Sequence, residues 1–544
     1  MKKHVSKTNI LILFAIILVY SILCLTKYQY VRFTADSMLY FSLAEKYLTG
    51  NFQDALNGYW GPLLAWLIVP FLYIGFSDVF TINVLDLIFG ILTITGTWIL
   101  SFRFEISERI RSVLLLCLLP IVIKFSIVQP MDFLLLCILI IYLGIIFNSD
   151  YPKKMSSGVV SGFLGSLAYF TKAYAFPFFI VHFLIMNIFH YFEKTLNEDK
   201  RKVLRNVVAG FIVFFLISGA WISIISNKYG HFTFSTMRDT NFNAPGPEVQ
   251  GSGLEFGVPV FTEGFFEPPN DTAFVVWEDP SYLRGKPWSA WQSPAHFKHF
   301  IKLTLKNIAE GLQIFEGFTT LSVSILLACI LLLRMKSFRE ILSQRLLLYP
   351  LFTVILFSGG YILFHFEERY VWLVNILLLL MGGHLLTLLF KIDFLGSGLR
   401  RNILIVVFVI SFVFTPSRFI FQASNGSIDQ YMHGVSVDLK SYGIRGNIAS
   451  NREYGSHDAW HKTFRLAYWL NSRYYGQARE GIEDDALKSE LSKYEIDYYF
   501  LWGDGASIPQ FFTKYNEVTG GEIPGLKVYS LKSPRNLSAP RIYQ

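Results

Sequence analysis

Charge is scarce in this chain. Only 16% of its 544 residues are Asp, Glu, Lys or Arg, where soluble globular proteins average about 25%, and 53% are hydrophobic. A water-soluble fold of this length has no use for so much apolar surface. Cysteine is nearly absent: Cys24, Cys117, Cys137 and Cys329 all sit inside apolar runs, without CxxC spacing. That pattern predicts packing residues, with neither a disulfide nor a cysteine metal site. There is no GxxxxGK[ST], no HExxH and no His/Cys cluster of metal-ligand spacing, so nucleotide hydrolysis and metalloprotease chemistry lack support. No motif calls for a cofactor; a divalent metal is possible but not indicated. No internal repeat is visible, which counts against transporter folds built from duplicated halves.

What is present is a series of long, nearly charge-free runs at 9–26, 79–100, 206–225, 318–333, 346–364, 370–390 and 402–416. About 20 apolar residues cross a bilayer as a helix, and backbone polar groups in lipid must be satisfied within each segment. An all-α polytopic membrane domain follows. The N-terminal run is long, and Tyr28-Gln29-Tyr30 offers no small-residue cleavage site, so it reads as a retained first helix rather than a signal peptide. The formal charge of +8 needs no nucleic acid, because cytoplasmic loops of membrane proteins are enriched in Lys and Arg.

The basic residues form a regular series: Lys2, Lys3 and Lys7; Arg103, Arg109 and Arg111; Lys153 and Lys154; Lys194, Lys200, Arg201, Lys202 and Arg205; Arg334, Lys336, Arg339 and Arg345; and Lys391, Arg400 and Arg401. With each cluster cytoplasmic, the runs between them pair into crossings. The run 61–76 breaks the parity and carries Gly61, Pro62, Pro70 and Gly75, so it is expected to be interfacial or re-entrant. About eleven full spans result, or about thirteen with a merged pair, an odd number either way. The N-terminus is then cytoplasmic. Segments 28–60, the turn near 124–132, the long loop 227–315 and everything after about 418 lie on the outer side. Residues 1–418 form the membrane domain, and 419–544 a small extracytoplasmic α/β domain. Its strand-like runs are at 444–449, 496–502 and 526–531, with helix-like runs at 458–473, 484–494 and 508–516. Sequons at Asn270, Asn425 and Asn536 fall on the same outer side.

Ionisable residues at the ends of membrane helices are the natural place to look for chemistry, since such groups are costly there. In the first outer segment Thr34 is a plausible N-cap and Gly50 a plausible stop. Asp36, Tyr40, Leu43 and Tyr47 then share one helical face, with Asp36 in the first turn, where the helix dipole favours a carboxylate. An ionised carboxylate there can take a proton from an acceptor hydroxyl. On spacing alone, a carboxylate that merely caps a surface helix is the simpler reading.

Four segments alter that balance. Residues 33–50, continuing through Asn57-Gly58-Tyr59-Trp60-Gly61-Pro62-Leu63-Leu64, resemble the opening signature of the GT-C glycosyltransferases, in particular the protein O-mannosyltransferases and lipid A aminoarabinose transferases of the family 39 type. Gly165-Ser166-Leu167-Ala168-Tyr169-Phe170-Thr171-Lys172 is similar to that family's hinge between two spans. Gln129-Pro130-Met131-Asp132 matches its second outer carboxylate at a helix start, and Glu367-Glu368-Arg369-Tyr370 its "R-Y" opening of a late span. All four come in order and on the predicted outer side. Two departures stand out: Ser37 where the family often has Glu, and Gly61-Pro62 where it has Lys-Pro or His-Pro.

The resemblance implies an inverting glycosyltransferase that moves a sugar from a polyprenyl-phosphate donor to a glycan, lipid or protein acceptor of the envelope or secretory pathway, at the outer face of the plasma membrane. Asp36 is then the general base. Lys172 and Arg369 would stabilise the leaving phosphate, where negative charge builds, Arg through its planar fork. Tyr40, Asp132, Glu367 and Glu368 are substrate-binding candidates, and Lys124 is a further candidate to approach the lipid phosphate. Blander roles stay open: snorkelling for Lys172, an ion pair with Glu367 or Glu368 for Arg369, a helix start for Asp132. The aromatic residues Trp277, Trp288 and Trp291 of the long loop suit sugar stacking or an acceptor lid, or anchoring at the interface. The rivals are a transporter or flippase of lipid-linked glycans, which would place its polar residues on broken helices near mid-membrane, and a glycan ligase or polymerase leaning on outer-loop Arg and His.

Overall fold

The computed structural model describes residues 6–26, 33–193, 197–243, 245–247, 264–282, 287–336, 340–341, 344–392, 397–423, 428–453, 458–503 and 508–532. Lys2, Lys3, Lys194 and Arg339 of the basic clusters, the Tyr28-Gln29-Tyr30 stretch and the sequons at Asn425 and Asn536 lie outside them.

Each apolar run assigned to a span is helical. By length and composition, eight helices among the described residues are fit to cross a membrane. The number rises to nine if Pro294–Phe318 and Ser322–Arg334, bent by 102° at their junction, count as one span. This is fewer than the roughly eleven read from the charges, and the shortfall has a physical source. Pro130–Ile146 and Met155–Thr171 have 17 residues each, about 26 Å of helix, at the lower limit for a crossing. Ser322–Arg334 has only 13. The chain is a multi-pass membrane protein. The helix Pro62–Ile74 is also 13 residues long, about 20 Å, too short to cross a core of about 30 Å. Proline at its first position suits a helix start, because that N–H has no partner to lose.

Two helices form the interior. Trp372–Leu389 and Pro130–Ile146 are apolar around their whole circumference and buried along most of their length, as expected of helices that face protein on all sides. Their N-terminal ends carry Arg369 and Asp132, so the site described below is anchored on the most constrained part of the bundle. Elsewhere small residues set the packing. Gly158 and Gly162 of Met155–Thr171 lie against the backbone of Asn206 and Gly210, where a Cβ would overlap backbone atoms. This close crossing is the small-xxx-small solution for helices that gain nothing from hydrophobicity in lipid. Asn206 reinforces it by donating to the carbonyls of Tyr151 and Lys154 at 2.9 and 3.1 Å.

The C-terminal region holds a six-stranded mixed sheet in the order β1-β3-β2-β4-β6-β5. Its strands are β1 (Gly264–Phe265), β2 (Asn447–Ser450), β3 (Arg473–Gln477), β4 (Tyr498–Trp502), β5 (Asn516–Glu517) and β6 (Leu526–Ser530). β2 pairs in parallel with β3 and β4, and the helices Asp458–Trp469 and Asp484–Lys493 make the crossovers. Of the expected elements, the helix run 458–473 stops at Trp469, and Arg473–Gln477 is a strand. β1 comes from the long loop and pairs antiparallel with β3, so the loop is stitched into this domain. The domain sits against the start of the first outer helix, with Phe33 packing on Trp469 at 4.8 Å between ring centroids and Tyr468 donating to Asp78 at 2.6 Å.

Candidate active site

Asp36 belongs to the helix Ala35–Leu48, whose N-cap Thr34 accepts from the Ser37 N–H at 3.3 Å, the capping expected from sequence. Thr34 also donates to Gln129 Oε1 at 3.0 Å, and Gln129 Nε2 donates to Asp36 Oδ2. Gln129 is the extended residue that ends Glu108–Val128 and starts Pro130–Ile146; the proline after it favours that extended backbone. Three elements are thus tied at one point.

Arg369 lies in the short 3-10 turn Glu368–Val371 that opens the central helix. Its Nη1 is 2.9 Å from Asp36 Oδ2, and its Nε is 2.6 Å from Glu367 Oε2 and 3.8 Å from Asp132 Oδ2. Lys172 caps the end of Met155–Thr171 and its Nζ is 2.6 Å from Asp132 Oδ1, both side chains being almost fully buried. The same ammonium stands 3.5 Å from the Tyr370 ring centroid, a cation–π contact that compensates part of its desolvation. Asp132 Oδ2 is buried and has no hydrogen-bond partner among the described residues, so this oxygen acts through charge alone. Glu367 is held from both sides: His365 Nε2 is 2.7 Å from Oε1 and Tyr370 donates to that oxygen at 3.3 Å. Burial pushes this carboxyl up, but the His365 hydrogen bond and the Arg369 charge outweigh it and hold it well below the usual carboxylate range.

A cavity of about 100 Å³ opens among these groups, and its lining includes Asp36, Lys172 and Arg369 together with Tyr59, Trp60 and Trp277. A larger cavity of about 500 Å³ adjoins it across Phe364 and is lined by Lys306, Asn307 and Glu310 of the helix Pro294–Phe318, with His365 and Glu368. Asp36, Lys172, Arg369, Asp132 and Glu367 therefore converge within one cluster. Glu368 turns away to pair with Lys124, and Tyr40 is buried with its hydroxyl on Met131 Sδ. Asp132 sits beneath Lys172 rather than on the cavity wall.

Neither a protein-family model nor a curated protein sequence matches the chain. Solved structures do. ArnT from Cupriavidus metallidurans bound to undecaprenyl phosphate aligns with a TM-score of 0.54 at 12% identity, over 98% of this chain and 100% of that one. The archaeal oligosaccharyltransferase AglB from Archaeoglobus fulgidus, in complex with an inhibitory peptide and a dolichol-phosphate, gives 0.52 at 12% identity, over 91% of this chain and 69% of that one. This chain has the GT-C fold.

Within the GT-C fold, both departures in the motifs have local physical reasons. Gly61 lies against the Phe170 and Thr171 carbonyls, where even a Cβ would overlap backbone, so no Lys or His fits before Pro62. Ser37 is 1% exposed, with its hydroxyl 3.1 Å from that of Thr34, and a glutamate there would bury a charge. Sequence reasoning missed Gln129 as a partner of Asp36, although a polar residue at a helix break before proline was the available signal. It also missed the pair formed by Lys46 and Glu278, which are 232 positions apart and share no motif.

Proposed function

We propose that this protein is a glycosyltransferase that moves a sugar from a polyprenyl-phosphate carrier to an acceptor hydroxyl. The observation that carries this reading is the placement of one carboxylate and two cations, Asp36, Lys172 and Arg369, on a single cavity in a GT-C fold. Two structural neighbours of that fold, AglB and ArnT, are complexes with a dolichol-phosphate and with undecaprenyl phosphate.

Among the described residues, the hydrogen bonds to Asp36 from Gln129 and Arg369 both fall on Oδ2. Oδ1 therefore takes the proton as the acceptor oxygen attacks the anomeric carbon. The bond from that carbon to the phosphate oxygen breaks on the opposite face, which inverts the configuration. The leaving polyprenyl phosphate gains one negative charge, and Lys172 and Arg369 stabilise it. Arg369, shared between Asp36 and Glu367, couples the base to the leaving-group side. Glu367 and Asp132 keep the two cations aimed, and a lipid-linked sugar, an acceptor and the bilayer are the partners. The site faces the non-cytosolic side of the plasma membrane, with the N-terminus in the cytosol and the C-terminal domain outside.

The test is transfer from a panel of undecaprenyl-phosphate sugars to membrane acceptors. Asp36→Asn should lower the rate by about 10²- to 10⁴-fold, the usual contribution of a general base, at unchanged protein level. Unchanged transfer removes Asp36 as base. Transport of lipid-linked sugar without any new glycosidic bond would instead identify a flippase.

A further inference from the structure

The long loop reaches the cavity through a buried ion pair that the transfer chemistry does not use. Glu278 is 1% exposed and Lys46 4%, and the two side chains are paired. Glu278 Oε2 accepts from Ser42 Oγ at 3.0 Å and from the Phe274 N–H at 3.2 Å. The Glu278 carbonyl accepts from Asn57 Nδ2 at 2.7 Å, and Asn57 Oδ1 accepts from the N–H groups of Tyr59 and Trp60 at 2.8 and 2.9 Å. Trp60 Nε1 then donates to the Trp277 carbonyl at 3.1 Å. The chain of contacts ends on three rings that touch one another, with centroids 5.0 Å apart for Tyr59–Trp60, 5.1 Å for Tyr59–Trp277 and 6.3 Å for Trp60–Trp277. All three line the cavity that holds Asp36, Lys172 and Arg369. A buried ion pair contributes little net stability against an apolar replacement. What this one supplies is direction, since it fixes the backbone on which Trp277 sits.

We propose that Tyr59, Trp60 and Trp277 form the subsite for the sugar ring of the lipid-linked donor, and that Glu278, held by Lys46, is the positioning residue that sets it. The inference rests on the glycosyl-transfer reading above. A pyranose has an apolar C–H face that packs on aromatic rings, while its phosphate meets Lys172 and Arg369. Bare polyprenyl phosphate meets the cations alone. The aromatic wall therefore acts on the sugar-bearing carrier only.

The experiment measures binding of undecaprenyl-phosphate hexoses and of bare undecaprenyl phosphate to the full-length protein in lipid nanodiscs. In the wild type the aromatic wall should raise affinity for the preferred hexose carrier, relative to the bare carrier, by on the order of tenfold. Trp277→Ala and Glu278→Gln should abolish that difference, and Trp277→Phe should keep most of it. The pair Lys46→Gln with Glu278→Gln, which removes the ion pair without leaving a buried charge, should leave it abolished, and a restored difference would overturn Glu278 as the positioning residue. Affinity for bare carrier should stay constant throughout, which a misfolded variant would not manage. Equal loss for both carriers in a variant that keeps the wild-type melting temperature, or an unaltered difference in Trp277→Ala, overturns the subsite. A wild type that binds no carrier at all overturns the glycosyl-transfer reading instead.

Discussion

At the residue scale, the cluster is a set of carboxylates and cations in which Arg369 reaches Asp36, Asp132 and Glu367 while Lys172 pairs with Asp132. Lys172 and Asp132 neutralise each other in a buried setting, and removing one partner leaves the other as a buried unpaired charge. Lys172→Met should therefore cost about 3–5 kcal/mol, read as a fall in melting temperature of the purified protein. Lys172→Met combined with Asp132→Asn should recover most of that stability without recovering transfer. Recovery of activity in the double variant would remove Lys172 from the leaving-group role. Glu367 gives a pH prediction. Its folded pKa is depressed from the ordinary value of 4.5, so its stabilising effect is complete above that pH and is lost only as pH falls through the lowered folded value. Wild type should thus be more stable than Glu367→Gln at neutral and mildly acidic pH, and the two should converge only in strong acid. Melting curves at a series of pH values decide it; convergence above pH 4.5 contradicts the clamp.

At the element scale, two backbone approaches determine where the segments of the candidate site sit. The Gly158/Gly162 crossing places Met155–Thr171 against Asn197–Tyr229, and Lys172 follows directly from the end of the first of these. Gly162→Leu must push against backbone rather than a flexible side chain, so its cost should exceed the about 1–3 kcal/mol typical of overpacking, measured by thermal unfolding in detergent. Gly61→Lys, which would recreate the family's Lys-Pro, should be equally disruptive because the Phe170 and Thr171 carbonyls occupy the space. A stable, active Gly61→Lys protein would mean that the first outer segment packs differently.

At the scale of the whole molecule, segments distant in sequence meet at one end of the helices. Thr34 bonds Gln129, Lys46 pairs with Glu278, and Tyr468 bonds Asp78. The proposed orientation is open to cysteine labelling, since all four native cysteines are buried. Thr49→Cys and Trp291→Cys should react with an impermeant maleimide in intact cells, and Lys153→Cys only after permeabilisation. The opposite pattern would put the cluster in the cytosol.

The apolar runs and helix-start residues determined much by themselves. Hydrocarbon tolerates only internally bonded backbone, so composition dictated helices at the right places, and the Thr34 cap and first-turn Asp36 are local events that a short window contains. The short helices Pro130–Ile146 and Met155–Thr171 were legible as apolar but not as marginal crossings, because charge parity counts turns rather than lengths. Strand Arg473–Gln477 was hidden because its partners are β2, across a helical crossover, and β1, from the distant long loop, and sheet pairing rather than local propensity decides it. Only the tertiary structure decided that Arg369 meets Asp36, that Lys172 is matched by Asp132 and that Glu278 reaches Lys46. Ion pairs of this kind depend on distances between helix ends, and those distances are set by how the bundle packs.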